Sequence, residues 1–265
     1  MIIRIIAIII FVAVTGIQAQ WRSLEPGLEF ARFRSPHHPN ADSSMMINIL
    51  RIDTKRYNLR LLNASHPNQG SRHTARGWAQ KEGMTAVINA AMYQMDYLKS
   101  VSFMKTSDHV NNSYISRDRT ILLFEPLQQH IPPVRIVDLD CDDFDQIRPL
   151  YGSAVQSIRM ISCMGRNVWQ QNDKRWSIAA IGIDKSGNLL FIQSTAPHSV
   201  HDFINVLRGL PISIDRAMYM EGGSPSQMYI NTARDTLELI GDYSSGGRSF
   251  SAPEIPNALG IRPKK

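Results

Sequence analysis

The order of apolar and polar positions predicts strands over most of the chain. Residues 46–52 and 57–62 are β-prone runs separated by the polar residues 53–56, which predicts a hairpin. A second hairpin is predicted where residues 177–183 and 188–193 flank a turn-forming tetrapeptide that ends in Gly187. Further strands are predicted at residues 85–89, 120–124, 135–139 and 217–221.

Two segments carry the periodicity of helices. The first covers residues 72–82, with Ser71 as the predicted cap and Gly83 as the stop. The second begins at Ser199, where the next three residues complete a sequence that resembles a capping box, and it continues to Gly209. Strands with both short and helical connections predict an α+β fold, with a mixed, largely antiparallel twisted sheet and a few flanking helices.

The N-terminal segment has the layout of a secretory signal. Arg4 precedes the apolar run 5–14, and a small-residue region ends at Ala19. The run is shorter than the about 20 apolar residues that a spanning helix needs, although an uncleaved anchor stays open as an alternative. We expect residues 1–19 to be a signal peptide and residues 20–265 to form one domain. The protein is then secreted or periplasmic, with no transmembrane span after signal removal.

Composition and charge narrow the class of protein. The 265 residues are 43% hydrophobic and 20% charged, which argues against a disordered chain or a fibre. The net charge of +6 is spread without a Lys/Arg run, so it favours anionic ligands and predicts no nucleic-acid partner. Cys141 and Cys163 would form a disulfide in an exported protein or stay free and buried, and both alternatives are open.

Three short segments offer groups that bind ligands. Asn89 ends a buried-looking strand, where its amide bonds either a polar ligand or loop backbone. Gln156 and Ser157 either position a ligand or cap a turn. Arg175 precedes the second predicted hairpin and suits bidentate recognition of phosphate or carboxylate, although a solvated Arg at a strand edge is the commoner outcome.

A fourth segment places an acid beside paired glycines. The strand 217–221 ends in Glu221, which is followed directly by Gly222, Gly223 and Ser224. Paired glycines let backbone N–H groups converge on an anion, and an adjacent carboxylate suits acid–base or nucleophilic work on a phosphorylated substrate. A plain glycine turn between two strands is the alternative.

Taken in order, these segments resemble the successive motifs of the phosphodiester glycosidase family. The resemblance rests on residues 87–93, 156–160, 180–189 and 219–224, and the order and spacing match over about residues 47–261. This family includes a lysosomal enzyme that removes N-acetylglucosamine from a sugar phosphodiester, and many bacterial exported proteins. The resemblance implies a hydrolase whose partner is a phosphorylated glycan or a cell-envelope saccharide.

The resemblance also implies roles for individual residues. Glu221 would be the acid/base or stabilising carboxylate, Asn89 would bind a sugar hydroxyl, and Arg175 with the loop 222–224 would hold the phosphate. Asp96 is a candidate second carboxylate in the substrate site. Glu221 stands where the family usually has Asp, and the glycine run is one residue shorter than the family pattern, so altered specificity or lost hydrolysis stays open.

Alternatives follow from the same segments. A serine hydrolase that uses Ser224 is weakened because Ser226 occupies the last glycine position of the nucleophile elbow. A non-catalytic protein that binds glycan or a cell-envelope polymer through the same pocket also fits the Glu-for-Asp change. No cofactor is indicated, and the acidic run 138–143 lacks calcium-loop spacing but leaves a looser metal site open.

Overall fold

The computed structural model describes residues 21–38, 45–242 and 251–264. The expected signal peptide, residues 1–19, lies outside the described residues. In the part of the chain that is described, no helix is both long enough and apolar enough to cross a membrane. The strands of this part form three sheets, and every pairing between them is antiparallel.

The largest sheet, called here the large sheet, has seven strands. In spatial order they are β1 (Arg22–Glu25), β2 (Leu28–Arg34), β3 (Met46–Ile52), β13 (Leu189–His198), β12 (Trp176–Asp184), β14 (Ile214–Gly222) and β11 (Arg159–Ile161), numbered along the chain.

In the part of the chain that the structure describes, two five-stranded sheets and three helices accompany the large sheet. The second sheet contains β7 (Val110–Asn112), β6 (Met104–Lys105), β10 (Tyr151–Ser157), β8 (Thr120–Pro126) and β9 (Val134–Asp138). The third contains β16 (Thr236–Ile240), β15 (Gln227–Asn231), β5 (Ala86–Asn89), β17 (Asn257–Pro263) and β4 (Tyr57–Asn63). The helices are α1 (Ala75–Glu82), α2 (Phe144–Ile147) and α3 (Val200–Gly209), and a 3₁₀ turn covers Arg148–Leu150.

One apolar core lies between the three sheets. Each sheet contributes alternate side chains to it, among them Phe191, Phe124 and Ile88. The intervening side chains of each sheet pack on a separate cluster, which includes Phe203 of α3 for the large sheet and Trp78 of α1 for the third sheet. The face of the large sheet toward the shared core is its core side; the opposite face is its outer side, and the cluster there that includes Phe203 is the outer cluster. The predicted α+β class with largely antiparallel strands is confirmed.

The first predicted hairpin is wrong, although both of its strands form. β3 pairs with β2 and β13 in the large sheet, whereas β4 pairs with β17 in the third sheet. The tight turn 53–56 carries the chain from one sheet to another, so that Ile52 and Leu59 both reach the shared core. The second predicted hairpin, β12 with β13, is confirmed.

Both predicted helices form, and one begins later than predicted. Thr74, rather than Ser71, caps α1, and its hydroxyl accepts the Gly77 N–H at 3.0 Å. The start is delayed because His73 is held extended by a backbone bridge to Ile255. The Gly83 stop is confirmed by its left-handed φ of 63°, and α3 begins after Ser199 as predicted.

Candidate active site

A β-bulge decides where Glu221 points. Ala180 of β12 pairs with Tyr219, whereas Ala179 pairs with Glu221, so β14 carries one extra residue, Met220, at this point. Directly paired residues share a face of a sheet. Because Ala180 belongs to the outer cluster and Ala179 to the shared core, the bulge turns Glu221 to the core side, whereas Tyr219 stays on the outer side.

The environment of Glu221 changes its acidity. Burial on the core side raises the pKa of its carboxyl to about 7, and this outweighs the opposing effect of the Gly222 N–H, which donates to Oε1 at 2.9 Å. The residue remains partly exposed. A carboxyl with this pKa is present in both protonation states near neutral pH, so it can accept or donate a proton there.

The paired glycines shape the turn that follows Glu221. Gly223 has a left-handed φ of 67°, and its N–H donates to the Ser177 carbonyl at 2.9 Å. A Cβ on Gly222 would lie 2.2 Å from the Trp176 ring, so only glycine fits there. Both glycine N–H groups therefore donate within the protein, which differs from the open cradle expected from the sequence. Ser224 is the partly exposed polar residue of this turn.

Asn89 lies at the end of β5, beside the exit of the glycine turn. Its Oδ1 accepts the Gln227 N–H at 3.1 Å, and its side chain is buried. Its Nδ2 has no hydrogen-bond partner among the described residues. The next segment contacts the bulge, because the Ala91 N–H donates to the Met220 sulfur at 3.3 Å. The structure thus brings the strand end of Asn89 to the strand end of Glu221.

Arg175 lies at the same end of the large sheet but contacts its outer side. It comes two residues before Ser177, whose carbonyl binds the Gly223 N–H. The Arg175 side chain is 40% exposed, and its Nη1 lies 3.2 Å from Asp202 Oδ2 in the first turn of α3. Arg175 is therefore near the glycine turn along the backbone, and its ion pair is formed on the face opposite to Glu221.

Ser157, the last residue of β10 in the second sheet, supports the bulge. It is buried, its hydroxyl donates to the carbonyl of Tyr219, and the Tyr219 N–H donates to the Ile158 carbonyl at 2.8 Å. Both contacts fix the residue that precedes Met220. Ser157 therefore holds the backbone that presents Glu221.

Gln156 and Asp96 make contacts within the protein. The buried Gln156 side chain accepts the N–H groups of Phe103 and Ser116 and donates to the Ser116 carbonyl, which ties down the segment before β8. Asp96 is exposed, and its Oδ1 accepts the N–H groups of Leu98 and Lys99, which lowers the pKa of its carboxyl. These contacts do not bring either residue to Glu221.

Gln193 is a polar residue of this region that the sequence reasoning missed. It pairs with Ala179, which pairs on its other side with Glu221, so all three face the core side in one row across the sheet. Gln193 is fully buried, and its Nε2 has no partner among the described residues. The available signal was a polar residue two positions after Phe191, at a core-facing position of an apolar strand.

The two cysteines lie beside Asp138 of the acidic run. Cys141 and Cys163 form a disulfide, with their Cα atoms 6.5 Å apart, which decides between the two alternatives left open by the sequence. Asp138 lies with them in a group whose ligand-type atoms are within 4.8 Å of one another. The sulfurs are joined to each other, and Asp138 accepts the Cys163 N–H at 2.9 Å, so these groups are engaged within the protein.

Two solved structures share the fold. A hypothetical protein from Synechocystis aligns with a TM-score of 0.61 and 12% identity, over 93% of this chain and 64% of its own. The catalytic domain of the zebrafish N-acetylglucosamine-1-phosphodiester alpha-N-acetylglucosaminidase, auto-inhibited by its pro-peptide, aligns with a TM-score of 0.61 and 12% identity, over 92% of this chain and 86% of its own. This chain therefore spans less than two thirds of the Synechocystis protein.

The family assignment rests on sequence. No curated protein matches the chain at a significant level. Residues 82–262 match the phosphodiester glycosidase family, and this range includes Asn89, the bulge at Met220 and the glycine turn. The match covers more than half of the sequence, in agreement with the shared fold. The chain belongs to the phosphodiester glycosidase family.

Proposed function

We propose that this protein is a glycosidase that hydrolyses the bond between the sugar and the phosphate of a sugar-1-phosphodiester. The observation that carries the proposal is the bulge at Met220, which directs Glu221 to the core side where burial raises its pKa to about 7. Membership of the family and the activity in the zebrafish enzyme's name support the same reaction class.

The proposed reaction depends more on stabilising charge in the transition state than on donating a proton to the leaving group. The leaving group is a phosphate monoester, which departs more readily than an alcohol, so strong general-acid assistance is less necessary than in ordinary glycoside hydrolysis. In its ionised form Glu221 activates a water or stabilises the oxocarbenium-like centre. The buried Asn89 Nδ2, a donor without a partner among the described residues, binds a sugar hydroxyl.

Arg175 and the glycine turn hold the phosphate in this proposal. An arginine has five N–H donors, and the contact from Nη1 to Asp202 leaves others for a phosphate oxygen. Ser224 adds a partly exposed hydroxyl. Gly222 and Gly223 keep the turn in shape, with their own N–H groups directed to Glu221 and Ser177. The phosphate would then lie at the end of the large sheet, between its two faces.

We also propose that the chain is exported, with residues 1–19 removed, and acts in the periplasm or outside the cell. The apolar run after Arg4 supports this location. Expression of the full-length chain in its host, followed by N-terminal sequencing of the exported fraction, should give a mature start near Gln20. Recovery of the uncleaved chain from the membrane would contradict it.

Hydrolysis in ¹⁸O-labelled water tests the reaction. The purified mature protein is incubated with a panel of sugar-1-phosphodiesters, and the products are analysed by mass spectrometry. Cleavage of the anomeric C–O bond places the label in the released sugar, whereas cleavage of a P–O bond places it in the phosphate. Label in the phosphate would refute a glycosidase mechanism.

Two variants connect the reaction to the site. Glu221→Gln should abolish release of labelled sugar, and Glu254→Gln, which changes a well-exposed glutamate elsewhere, should not. Equilibrium binding of a phosphoglycan by the wild-type protein without any product would favour the non-catalytic glycan-binding alternative.

A further inference from the structure

A buried carboxylate lies beside the disulfide. Cys141 is exposed in the turn that follows β9, Cys163 is partly exposed in the turn that follows β11, and Asp138, the last residue of β9, is fully buried. The two sulfurs and a carboxylate oxygen of Asp138 lie within 4.8 Å of one another. Among the described residues, no other group of three or more His, Cys, Asp or Glu side chains brings its potential metal ligands so close together. Two sulfurs and one oxygen form a ligand set that suits zinc.

Contacts other than the disulfide hold the two cysteine-bearing turns together. The Cys163 N–H donates to Asp138 Oδ2 at 2.9 Å, and the Cys141 N–H donates to the Asp138 carbonyl at 2.9 Å. Arg159 of β11 donates from Nη1 to Asp138 Oδ1 at 2.7 Å, which joins β9 to β11 directly. Because none of these contacts involves a sulfur, they persist when the disulfide is reduced, and they keep both thiols beside the carboxylate.

The spacing of the three groups suits a tetrahedral metal ion. Zinc binds thiolate sulfur at about 2.3 Å and carboxylate oxygen at about 2.0–2.2 Å, so tetrahedral geometry places these ligand atoms about 3.6–3.8 Å apart. The sulfurs and the Asp138 oxygen lie within 4.8 Å of one another while the disulfide is intact. Reduction lets the two sulfurs separate, and rotation of the side chains is then enough to admit the ion. Water completes the fourth position.

The charge of the reduced site favours a divalent cation. Two thiolates and Asp138 carry three negative charges, and Arg159 is the cation in direct contact with Asp138. A divalent ion offsets the negative charge that remains. Thiolate ligands select zinc and other soft metals, whereas magnesium and calcium prefer oxygen ligands. The ligand set therefore predicts zinc rather than a hard cation.

We propose that reduction of the Cys141–Cys163 disulfide opens a zinc site formed by Cys141, Cys163 and Asp138. A dithiol reductant supplies two electrons and two protons and becomes a cyclic disulfide, while the S–S bond of the protein breaks into two thiols. Zinc then forms two Zn–S bonds, and the two thiol protons pass to solvent. The disulfide form offers no thiolate, so the site is closed in it. This inference is independent of the proposed glycosidase reaction, in which none of the three residues takes part.

Cobalt(II), a spectroscopic substitute for zinc, tests the site. The protein is reduced with dithiothreitol, freed of the reductant without air and titrated with cobalt chloride. One equivalent should produce the thiolate-to-cobalt charge-transfer band and the intense visible bands of tetrahedral coordination, and zinc chloride should displace it. The oxidised protein, treated identically, should show neither band. Absence of the bands from the reduced protein, or equal bands from both forms, would overturn the proposal.

Three variants assign the ligands. Cys163→Ser should abolish the charge-transfer band. Asp138→Asn keeps the shape of the side chain, and it should weaken zinc binding by at least about tenfold, because even the outer partners of metal ligands contribute that much. Asp173→Asn changes an exposed aspartate elsewhere, and it should leave the affinity of the reduced protein unchanged. Wild-type affinity in Asp138→Asn would overturn the assignment of the carboxylate.

Two measurements on the wild-type protein keep the proposal testable if Asp138→Asn does not fold. Zinc X-ray absorption of the reduced protein should show two sulfur ligands and lighter ligands in the remaining positions, and a spectrum without sulfur would contradict the site. Zinc should also stabilise the reduced protein against urea without stabilising the oxidised protein. Equal effects on both forms, or a reduced chain that is unfolded and that zinc does not refold, would overturn the proposal.

Discussion

A buried histidine and a partly exposed glutamate lie at the same end of the large sheet, on opposite faces. His198 pairs across the sheet with Trp176 on the outer side, and Glu221 pairs with Ala179 on the core side. Burial lowers the pKa of His198 to about 4 and raises the pKa of Glu221 to about 7. The same desolvation favours the neutral form of both groups, but only one of them then titrates near neutral pH.

The partners of the two groups explain their different uses. The His198 ring lies 2.7 Å from the Ser35 hydroxyl at Nε2 and 2.8 Å from the Ala196 carbonyl at Nδ1, so both ring nitrogens are bonded within the protein. The Glu221 carboxyl has the Gly222 N–H as its hydrogen-bond contact. His198 is thus a fixed structural group, whereas Glu221 keeps the capacity to exchange a proton with a substrate or water.

The largest expected effect is the difference in kcat/KM between a variant at Glu221 and a variant at His198. Glu221→Gln keeps the size and the buried position of the side chain but removes its proton exchange, so kcat/KM on a cleaved diester should fall about 10²–10⁴-fold. His198→Gln should change kcat/KM of the folded protein by less than about threefold, because both ring nitrogens of His198 are bonded within the protein. Turnover by Glu221→Gln at the wild-type rate would remove Glu221 from the mechanism.

The pH dependence of the free energy of unfolding should also distinguish Glu221 from His198. Glu221 has a higher pKa folded than its ordinary 4.5, so its contribution to stability falls as the pH rises from about 4.5 to 7. His198 has a lower pKa folded than its ordinary 6.5, so its contribution falls as the pH drops from about 6.5 to 4. Each effect amounts to about 3 kcal/mol over its window, and the two largely cancel in the wild-type protein.

When either side chain is substituted, urea unfolding should show the pH dependence of stability that the remaining one causes. Glu221→Gln should be more stable than wild type at pH 8 by up to about 3 kcal/mol and should lose stability steeply between pH 6.5 and 4.5. His198→Gln should instead gain stability, relative to its own value at pH 8, as the pH falls to 4.5. Parallel curves for the wild-type protein and Glu221→Gln would contradict the buried, partly protonated Glu221.

The backbone next to Glu221 gives a smaller predicted effect. Gly222→Ala places a methyl group 2.2 Å from the Trp176 ring, and the displacement should cost about 1–3 kcal/mol of the free energy of unfolding. Gly209→Ala, at the end of α3 with nothing within 4 Å, is the matched control and should be neutral or stabilise by up to about 1 kcal/mol. Equal stability changes in the two variants would show that the Trp176 packing is unimportant.

The smallest effect is expected at Asp96. Its contacts are the turn N–H groups of Leu98 and Lys99, which an asparagine side chain also accepts, so Asp96→Asn should change kcat/KM by less than about twofold. A loss greater than about tenfold would instead make Asp96 the second carboxylate suggested by the sequence.

Local sequence was sufficient for the elements predicted from it and for the position of the candidate acid, but other strands, among them β2, β10 and β17, were not predicted. The β12–β13 hairpin and the Ser199 cap depend on residues close together in the chain, and both form as predicted. The partner of β4 could not be predicted in this way, because β17 lies almost 200 residues further along the chain and no local pattern specifies that register.

The face of the sheet on which Glu221 lies could not be predicted from the sequence for the same reason. Regular alternation along residues 217–221 would place Glu221 on the face of Tyr219, and the extra residue Met220 is visible only once β14 is paired with β12. Gln193 likewise becomes notable only through its cross-strand row to Glu221. Pairing partners, rather than the composition of each segment, decide which polar groups meet.

Carboxyl ¹³C NMR titration of the glutamate side chains tests the central claim most directly, with Glu221→Gln identifying the signal that belongs to Glu221. The bulge and the burial that it imposes predict a titration midpoint near pH 7 for that signal. A midpoint near 4.5, the ordinary value for an exposed glutamate, would contradict the account.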